Sequence, residues 1–147
     1  MKKLISAFCL LTACSQDQWD LSKEAAQEII QTDKAMSDEA TKNGFHTTLL
    51  LYADDSVVKP QEGTLPVIGR SALENFWKDK PDPKELTWEP FKAEAAKSGE
   101  IGYSLGNWKY VTKDTTLYGN YYTIWKKQPD GKWKFVVDGG NNTPAPK

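Results

Sequence analysis

The segment from residue 86 to residue 138 constrains the fold most, because strand-like patterns follow one another there with only short turns between them. Stretches rich in β-branched and aromatic residues predict strands over 86–95, 101–112, 115–127 and 132–138. The links carry turn-forming residues such as Lys97-Ser98-Gly99 and Pro129-Asp130-Gly131. Links this short join antiparallel neighbours, so the segment predicts a four-stranded antiparallel meander.

The chain before the meander is mainly helical in pattern. Apolar residues recur at three- and four-residue steps, and these periods predict helices over 19–42, 45–52 and 71–77, the last with a capping-box spacing. Asn43-Gly44 ends the first helix, and a short strand over 56–59 ends at Pro60. Helices followed by a meander predict an α+β domain with the helices on one face of a curved sheet.

The first residues resemble the export signal of a bacterial lipoprotein. Lys2 and Lys3 precede the apolar run 4–11, which is too short to span a bilayer as a helix. Leu11-Thr12-Ala13-Cys14 resembles a lipobox, and this resemblance implies cleavage after Ala13 and lipid on the Cys14 sulfur. We therefore expect a signal peptide over 1–13 and a lipidated tether over 14–18. An ordinary secretory signal with an incidental cysteine is the alternative.

This resemblance also implies where the protein works and what holds it there. The lipid bilayer would be a partner through the Cys14 lipid, since several acyl chains anchor a protein stably where one does not. The implied location is the bacterial cell envelope. If the host is Gram-negative, Ser15 after the cysteine favours the outer membrane, with the domain facing the periplasm.

Cysteine usage and charge exclude several kinds of site. The two cysteines are Cys9, which leaves with the signal, and Cys14, which takes the lipid, so we expect no disulfide in the mature domain. A formal net charge of -1 gives no electrostatic basis for binding nucleic acid. With one His and no clustered His, Cys or carboxylate spacing, we expect no metal ion and no cofactor.

The order of elements and three landmarks are similar to the nuclear transport factor 2-like superfamily, in particular its SnoaL-like and ketosteroid isomerase-like branches. The landmarks are Leu51-Tyr52-Ala53-Asp54-Asp55, Gly69-Arg70 and Asp130-Gly131-Lys132-Trp133. The resemblance covers 19–142, with 143–147 as a flexible tail. It implies a cone, in which a bent sheet is wrapped by a long helix, with a pocket inside and a homodimer through the outer face of the sheet.

The resemblance also allows one family reaction to be tested by position. Ketosteroid isomerases use an Asp base, with a Tyr and a protonated Asp as oxyanion donors. Carried over to this chain, these positions fall on Pro60, Met36 and Thr123 respectively. None of the three keeps the proton chemistry of the family residue. We therefore expect this reaction to be absent.

Two titratable residues remain as catalytic candidates. Asp138 ends the last predicted strand beside Gly139-Gly140-Asn141-Asn142, where a carboxylate can face a pocket, and capping of a turn is the alternative. His46, the single His, needs a carboxylate partner and a place in the pocket to act as a base, and a helix-end role is the alternative. We expect Arg70 to pair with one of the adjacent carboxylates Asp54 and Asp55, and an anionic ligand at the mouth of the pocket is the alternative.

The aromatic residues, which include six Trp and six Tyr, are candidates for the pocket wall. The resemblance turns Thr123 inward, so strand alternation predicts that its neighbours two residues away also face the cavity. The predicted wall consists of Trp77, Trp88, Tyr103, Trp108, Tyr121, Thr123 and Trp125. Packing in the core is the alternative for any one of these residues.

These patterns favour a membrane-anchored, cone-shaped domain that binds a small, partly apolar ligand or a protein partner. One alternative is a SnoaL-like enzyme, an isomerase, cyclase or hydrolase, with Asp138 as base and Tyr121 or His46 assisting. Another is an accessory lipoprotein that acts through its surface alone. A cavity that contains Asp138 favours the first two hypotheses, and a cone filled by its own Trp and Tyr side chains favours the third.

Overall fold

The computed structural model describes residues 19–146. The expected signal peptide (1–13), Cys14 with its tether (14–18), and Lys147 lie outside the described residues. The described part contains helices α1 (Ser22–Asn43), α2 (Phe45–Tyr52) and α3 (Arg70–Trp77), and strands β1 (Ala53–Lys59), β2 (Val67–Ile68), β3 (Leu86–Ala95), β4 (Ile101–Val111), β5 (Thr116–Lys127) and β6 (Trp133–Thr143).

The long helix α1 begins three residues later than its apolar period suggests. The Asp20 carboxylate accepts hydrogen bonds from the backbone N–H and the hydroxyl of Ser22, at 3.1 and 2.6 Å, so the chain turns there and the helix follows. Trp19 is outside the helix and is 85% exposed. At the other end Gly44 adopts a φ of 102° and donates its N–H to the Ala40 carbonyl, as the Asn-Gly pair predicts.

The strands form one sheet in the order β2-β1-β6-β5-β4-β3. The antiparallel pairs β3–β4, β4–β5 and β5–β6 are the predicted meander, and β1 adds to β6 in parallel. Helix α1 packs on β3 and β4 and so defines the inner face of the sheet. The domain is α+β, with three helices packed on a six-stranded, mainly antiparallel sheet, which confirms the predicted fold class.

Several element boundaries differ from the predicted ones. The first strand begins at Ala53 because it pairs in parallel with Phe135, a contact distant in sequence. Strand β6 continues to Thr143 because Gly139 to Thr143 pair residue by residue with β5, so the predicted tail begins one residue later. The predicted capping box before α3 is wrong: Gly69 is the N-cap, with a φ of 91° and no side-chain cap bond.

The hydrophobic core lies between α1 and one end of the sheet. Ile29, Trp125 and Phe135 are fully buried there, and the rings of Trp125 and Phe135 meet edge to face at 6.1 Å. The opposite end, where β3, β4, β5 and β6 carry Leu86, Trp108, Tyr121 and the 139–142 segment, has no such filling and remains open. This open end holds the candidate site.

Candidate functional site

A cavity of about 300 Å³ opens at the unfilled end of the sheet. Helices α1 and α2 contribute Met36, Phe45 and Leu49 to its wall, and exposed residues of 60–62 and 140–142 surround its mouth. Among the residues expected from the sequence, the structure brings Trp88, Trp108, Tyr121, Thr123 and Asp138 together around this cavity. Its walls are mostly apolar and aromatic, with a few polar groups, as is typical of small-molecule sites.

Three expected wall residues lie elsewhere. Trp125 shares the inner face with Tyr121 but sits deeper, in the core, where it is 0% exposed and donates its indole N–H to Ser104 Oγ at 2.9 Å. Tyr103 faces the outer side of the sheet and donates its hydroxyl to Glu94 Oε2 at 2.7 Å. Trp77 belongs to α3 and packs against the rings of α2. Strand alternation predicts the face of a side chain but not its depth along the strand.

Two cross-strand pairs explain why the cavity stays open despite its aromatic lining. Trp108 lies opposite Gly119, and Tyr121 lies opposite Gly106, in the register of β4 and β5. A Cβ atom at either glycine would overlap the ring of its partner, so each ring lies flat against the bare backbone. Because the rings lie along the wall rather than across the interior, the cone is not filled by its own aromatic side chains.

Asp138 faces the cavity and is held by two partners. It lies opposite Thr123 in the β5–β6 register, and Thr123 Oγ1 donates to Asp138 Oδ1 at 3.0 Å. The ammonium of Lys59, at the end of β1, forms an ion pair with Asp138 Oδ2, and both charged side chains are 14% exposed. Asp138 therefore has the position that the enzyme hypothesis requires, although both of its carboxylate oxygens are already engaged.

His46 lies outside this cavity. Its ring stacks on Trp77 at 4.6 Å, in a separate groove that also includes Asp82. The Asp82 carboxylate accepts the backbone N–H of His46 at 2.6 Å and that of Thr47 at 3.2 Å, and so caps the start of α2. Burial lowers the pKa of His46, and the nearby Asp82 opposes this shift. The structure does not bring His46 together with Asp138.

Asp33 is a polar residue behind the cavity that sequence reasoning missed. It is 0% exposed, and its two oxygens accept the Trp88 indole N–H and the Tyr121 hydroxyl, each at 2.8 Å. The buried hydroxyl of Ser104 also lies close to this carboxylate. Burial raises the pKa of Asp33, while the hydrogen bonds from Ser104, Tyr121 and Trp88 act in the opposite direction. Asp33 thus fixes two of the aromatic rings that line the cavity.

The network around Asp33 also extends into the core. The Trp125 N–H donates to the Ser104 oxygen, which leaves the Ser104 hydrogen free to be donated to Asp33. Burial raises the pKa of the Tyr121 phenol, and the charge of Asp33 raises it further. A signal for this residue was present in the sequence: Ile29, Asp33 and Met36 follow the helical period, so Asp33 interrupts the apolar stripe of α1.

Arg70 and the adjacent carboxylates are not paired as expected. Arg70 Nε donates to the Leu50 carbonyl at 2.8 Å, and within residues 19–146 it forms no ion pair with Asp54 or Asp55. Asp54 instead accepts the backbone N–H of Ser56 at 2.9 Å and the Gln128 amide at 3.0 Å. These bonds hold the start of β1, which is the structural role expected for that position.

The domain is similar to known proteins in structure but not in sequence. The sequence matches no family model and no curated protein. A nuclear transport factor 2-like protein of unknown function from Shewanella oneidensis MR-1 has a TM-score of 0.61 at 19% identity, over 78% of this chain and 96% of that chain. A ketosteroid isomerase-like protein from Erwinia carotovora atroseptica SCRI1043 has a TM-score of 0.62 at 12% identity, over 80% and 95%.

A third similar structure is the CaMKII hub of S. rosetta, with a TM-score of 0.58 at 16% identity, over 80% of this chain and 96% of that chain. The agreement covers nearly the whole length of these proteins. The domain has the nuclear transport factor 2-like fold. Identities this low establish the fold alone, and the function has to be argued from the site.

The positions carried over from ketosteroid isomerase lie together in this fold. Met36, Pro60 and Thr123 all line the cavity. Their side chains place a thioether, a pyrrolidine ring and a neutral hydroxyl where that reaction needs acids and a base. Within residues 19–146, no three His, Cys, Asp or Glu side chains are grouped so as to hold a metal ion.

Proposed function

We propose that this domain binds a small, partly apolar ligand in its cavity. The observation that carries the proposal is the open space of about 300 Å³, walled by rings that lie flat against glycines. Ligand sites of this kind combine apolar walls with a few fixed polar groups. Here Tyr121 and the Lys59–Asp138 pair supply the polar groups, and Asp33 holds Tyr121 in place.

Native mass spectrometry of the soluble domain tests this proposal. The expressed chain would begin after Cys14, and the spectrum would show whether a small molecule is retained. Leu86 lines the cavity, so Leu86→Trp should fill it and abolish retention. Leu117→Trp is the matched control, because Leu117 is 46% exposed and not part of the cavity wall. Equal retention by both variants would contradict binding in the cavity.

We further propose that Cys14 carries a lipid that anchors the domain to the bacterial cell envelope, at the outer membrane facing the periplasm if the host is Gram-negative. The support is the basic start, the short apolar run and the lipobox-like Leu11-Thr12-Ala13-Cys14. Within residues 19–146, no helix combines the length and apolar character needed to cross a bilayer.

Fractionation of cells that express two cysteine variants tests the anchor. Cys14→Ser should move the protein from the membrane to the soluble fraction and remove labelling by a palmitate analogue. Cys9→Ser is the matched control, since it replaces the other cysteine inside the proposed signal and should leave both properties unchanged. Continued membrane fractionation of Cys14→Ser would refute the lipid anchor.

We propose a homodimer through the outer face of the sheet as the oligomeric form. Two cross-strand pairs, Tyr103 with Ile124 and Leu105 with Tyr122, place apolar side chains together on that face, and Tyr122 is 41% exposed. Apolar groups gathered on one surface favour association. Light scattering should give a dimer mass for the soluble domain and a monomer mass for Leu105→Glu. A monomer mass for the unmodified domain would contradict this proposal.

A further inference from the structure

The indole N–H groups of the cavity wall are already used within the protein. Trp88 Nε1 donates to Asp33 Oδ1 at 2.8 Å, and Trp108 Nε1 donates to the Asn120 carbonyl at 3.2 Å. Each indole has a single N–H and no acceptor. Neither tryptophan therefore offers a hydrogen-bond donor to a molecule in the cavity, although both offer ring surface.

Two hydroxyl hydrogens of the wall are used in the same way, whereas the hydroxyl of Tyr110, opposite Leu86 at the open end, has no hydrogen-bond partner within residues 19–146. Tyr121 donates to Asp33 Oδ2 at 2.8 Å, and Thr123 donates to Asp138 Oδ1 at 3.0 Å. A hydroxyl has one hydrogen, so an oxygen that has donated it can only accept further bonds. Asp33 and Asp138 therefore take both hydroxyl hydrogens, so neither hydroxyl can donate to a molecule in the cavity. Tyr121, which is only partly buried, keeps an oxygen that can accept.

The charged pair of the wall leaves one donor as well as acceptors, because the Lys59 ammonium has three hydrogens and directs two of them to Asp138. The Lys59 ammonium is directed to Asp138, where it meets the carboxylate and, at 3.5 Å, the backbone carbonyl. The carboxylate of Asp138 accepts one bond on each oxygen and retains lone pairs for more. Side-chain amides that can donate, from Gln61, Asn141 and Asn142, lie at the mouth of the cavity, where water competes.

The geometry points to a ligand that donates hydrogen bonds: an apolar body carrying a hydroxyl or an amine N–H. This inference rests on the proposed ligand-binding function and specifies the chemical class of the ligand. A hydroxyl can donate to Tyr121 or Asp138. A ketone or ether of the same shape gives up its bonds to water and finds no free donor on Tyr121, on Thr123 or on the two tryptophans. We expect at least about a tenfold difference in affinity between such matched compounds.

Titration of the soluble domain with tert-butylcyclohexanol and tert-butylcyclohexanone, followed by tryptophan fluorescence and calorimetry, tests the inference. The two probes differ in whether the oxygen can donate, and they match in size and apolar body. The alcohol should bind about tenfold or more tightly than the ketone. Equal or tighter binding of the ketone overturns the donor preference but leaves ligand binding intact. No binding of either probe counts against the proposed function itself.

Two variants connect the preference to named atoms. Tyr121→Phe removes an accepting oxygen. It should lower the affinity for the alcohol about tenfold and leave the affinity for the ketone unchanged. Tyr122→Phe is the matched control, because the adjacent side chain faces the outer side of the sheet and should change neither affinity. Asp138→Asn adds an amide donor and should raise the affinity for the ketone. If both cavity variants keep the original alcohol-to-ketone ratio, the inference is wrong.

Discussion

Replacing Asp33 removes the hydrogen-bond acceptor that joins α1 to two strands. Its carboxylate lies in the middle of the helix, fully buried, and accepts bonds from Trp88 of β3 and Tyr121 of β5, with Ser104 of β4 close by. In Asp33→Ala, the buried Trp88 indole N–H loses its acceptor. Tyr121 lines the cavity and can bond to water instead.

The expected loss follows from this count of donors. A buried donor without an acceptor costs about 1–3 kcal/mol, and the bond that Tyr121 exchanges for one to water adds about 1 kcal/mol. Removing the carboxylate also removes the unfavourable free energy of burying a charge, which offsets part of the loss. We expect Asp33→Ala to lower the free energy of unfolding by about 3 kcal/mol, a large fraction of the 5–15 kcal/mol typical of a domain.

Urea denaturation of the soluble domain at pH 7, followed by tryptophan fluorescence and circular dichroism, measures this loss. Asp33→Asn keeps one accepting oxygen and should lose about 1–2 kcal/mol. Asp38→Ala is the matched control on the same helix, because Asp38 is exposed and should change stability by less than about 0.5 kcal/mol. If Asp33→Ala is no less stable than Asp38→Ala, the reasoning about this network is refuted.

The pH dependence of the same variants gives a second test. Burial raises the pKa of Asp33 in the folded state above its unfolded value. Its contribution to stability is therefore fully present below the unfolded pKa and is lost as pH rises through the folded pKa. The deficit of Asp33→Asn relative to the unmodified domain should accordingly be larger in acid than at neutral pH. A deficit that grows as pH rises would contradict this assignment.

Three further perturbations have defined outcomes. Burial lowers the pKa of His46 in the folded state. Its stabilising contribution is therefore present above the unfolded pKa and is lost as pH falls through the folded pKa. His46→Gln should flatten the fall in urea-measured stability between about pH 7 and 5. Gly119→Ala should push the Trp108 ring into the cavity, which would cost about 1–3 kcal/mol in melts and weaken probe binding. Lys59→Met should cost about 2 kcal/mol in urea melts by leaving Asp138 without its cation, and adding Asp138→Leu should recover most of that loss. The expectation for His46→Gln is contradicted by an unchanged pH dependence of stability, and that for Gly119→Ala by an unchanged probe affinity. The expectation for Lys59→Met is contradicted if Asp138→Leu adds a further loss of stability.

The parts of the fold that are local in sequence were predictable. The meander β3–β6 depends on alternation and on turn residues, and both are visible in the chain. Strand β2 has two residues, too few to show a period. The parallel contact of β1 with β6 joins distant segments, and the ion pair of Lys59 with Asp138, 79 residues apart, depends on it. No local pattern encodes such a contact.

The sequence predicts which face of the sheet the site residues occupy. It does not predict how deep each side chain lies along its strand, nor which buried residue holds the wall in place. Alternation placed Tyr121, Thr123 and Trp125 on one face, and the structure agrees, but only packing against Phe135 shows that Trp125 belongs to the core. Asp33 was missed because an acid in an amphipathic helix is usually solvated. Its burial depends on Trp88 and Tyr121, which reach it from other strands.

A crystal structure of the soluble domain with tert-butylcyclohexanol tests the central claim most directly, since that claim is an open, aromatic-walled cavity that binds a small molecule. The account predicts the probe inside the cavity, its apolar body against Trp108 and its hydroxyl within hydrogen-bond distance of Tyr121 or Asp138. A cavity closed by the domain's own side chains, or a probe bound only elsewhere, would contradict it.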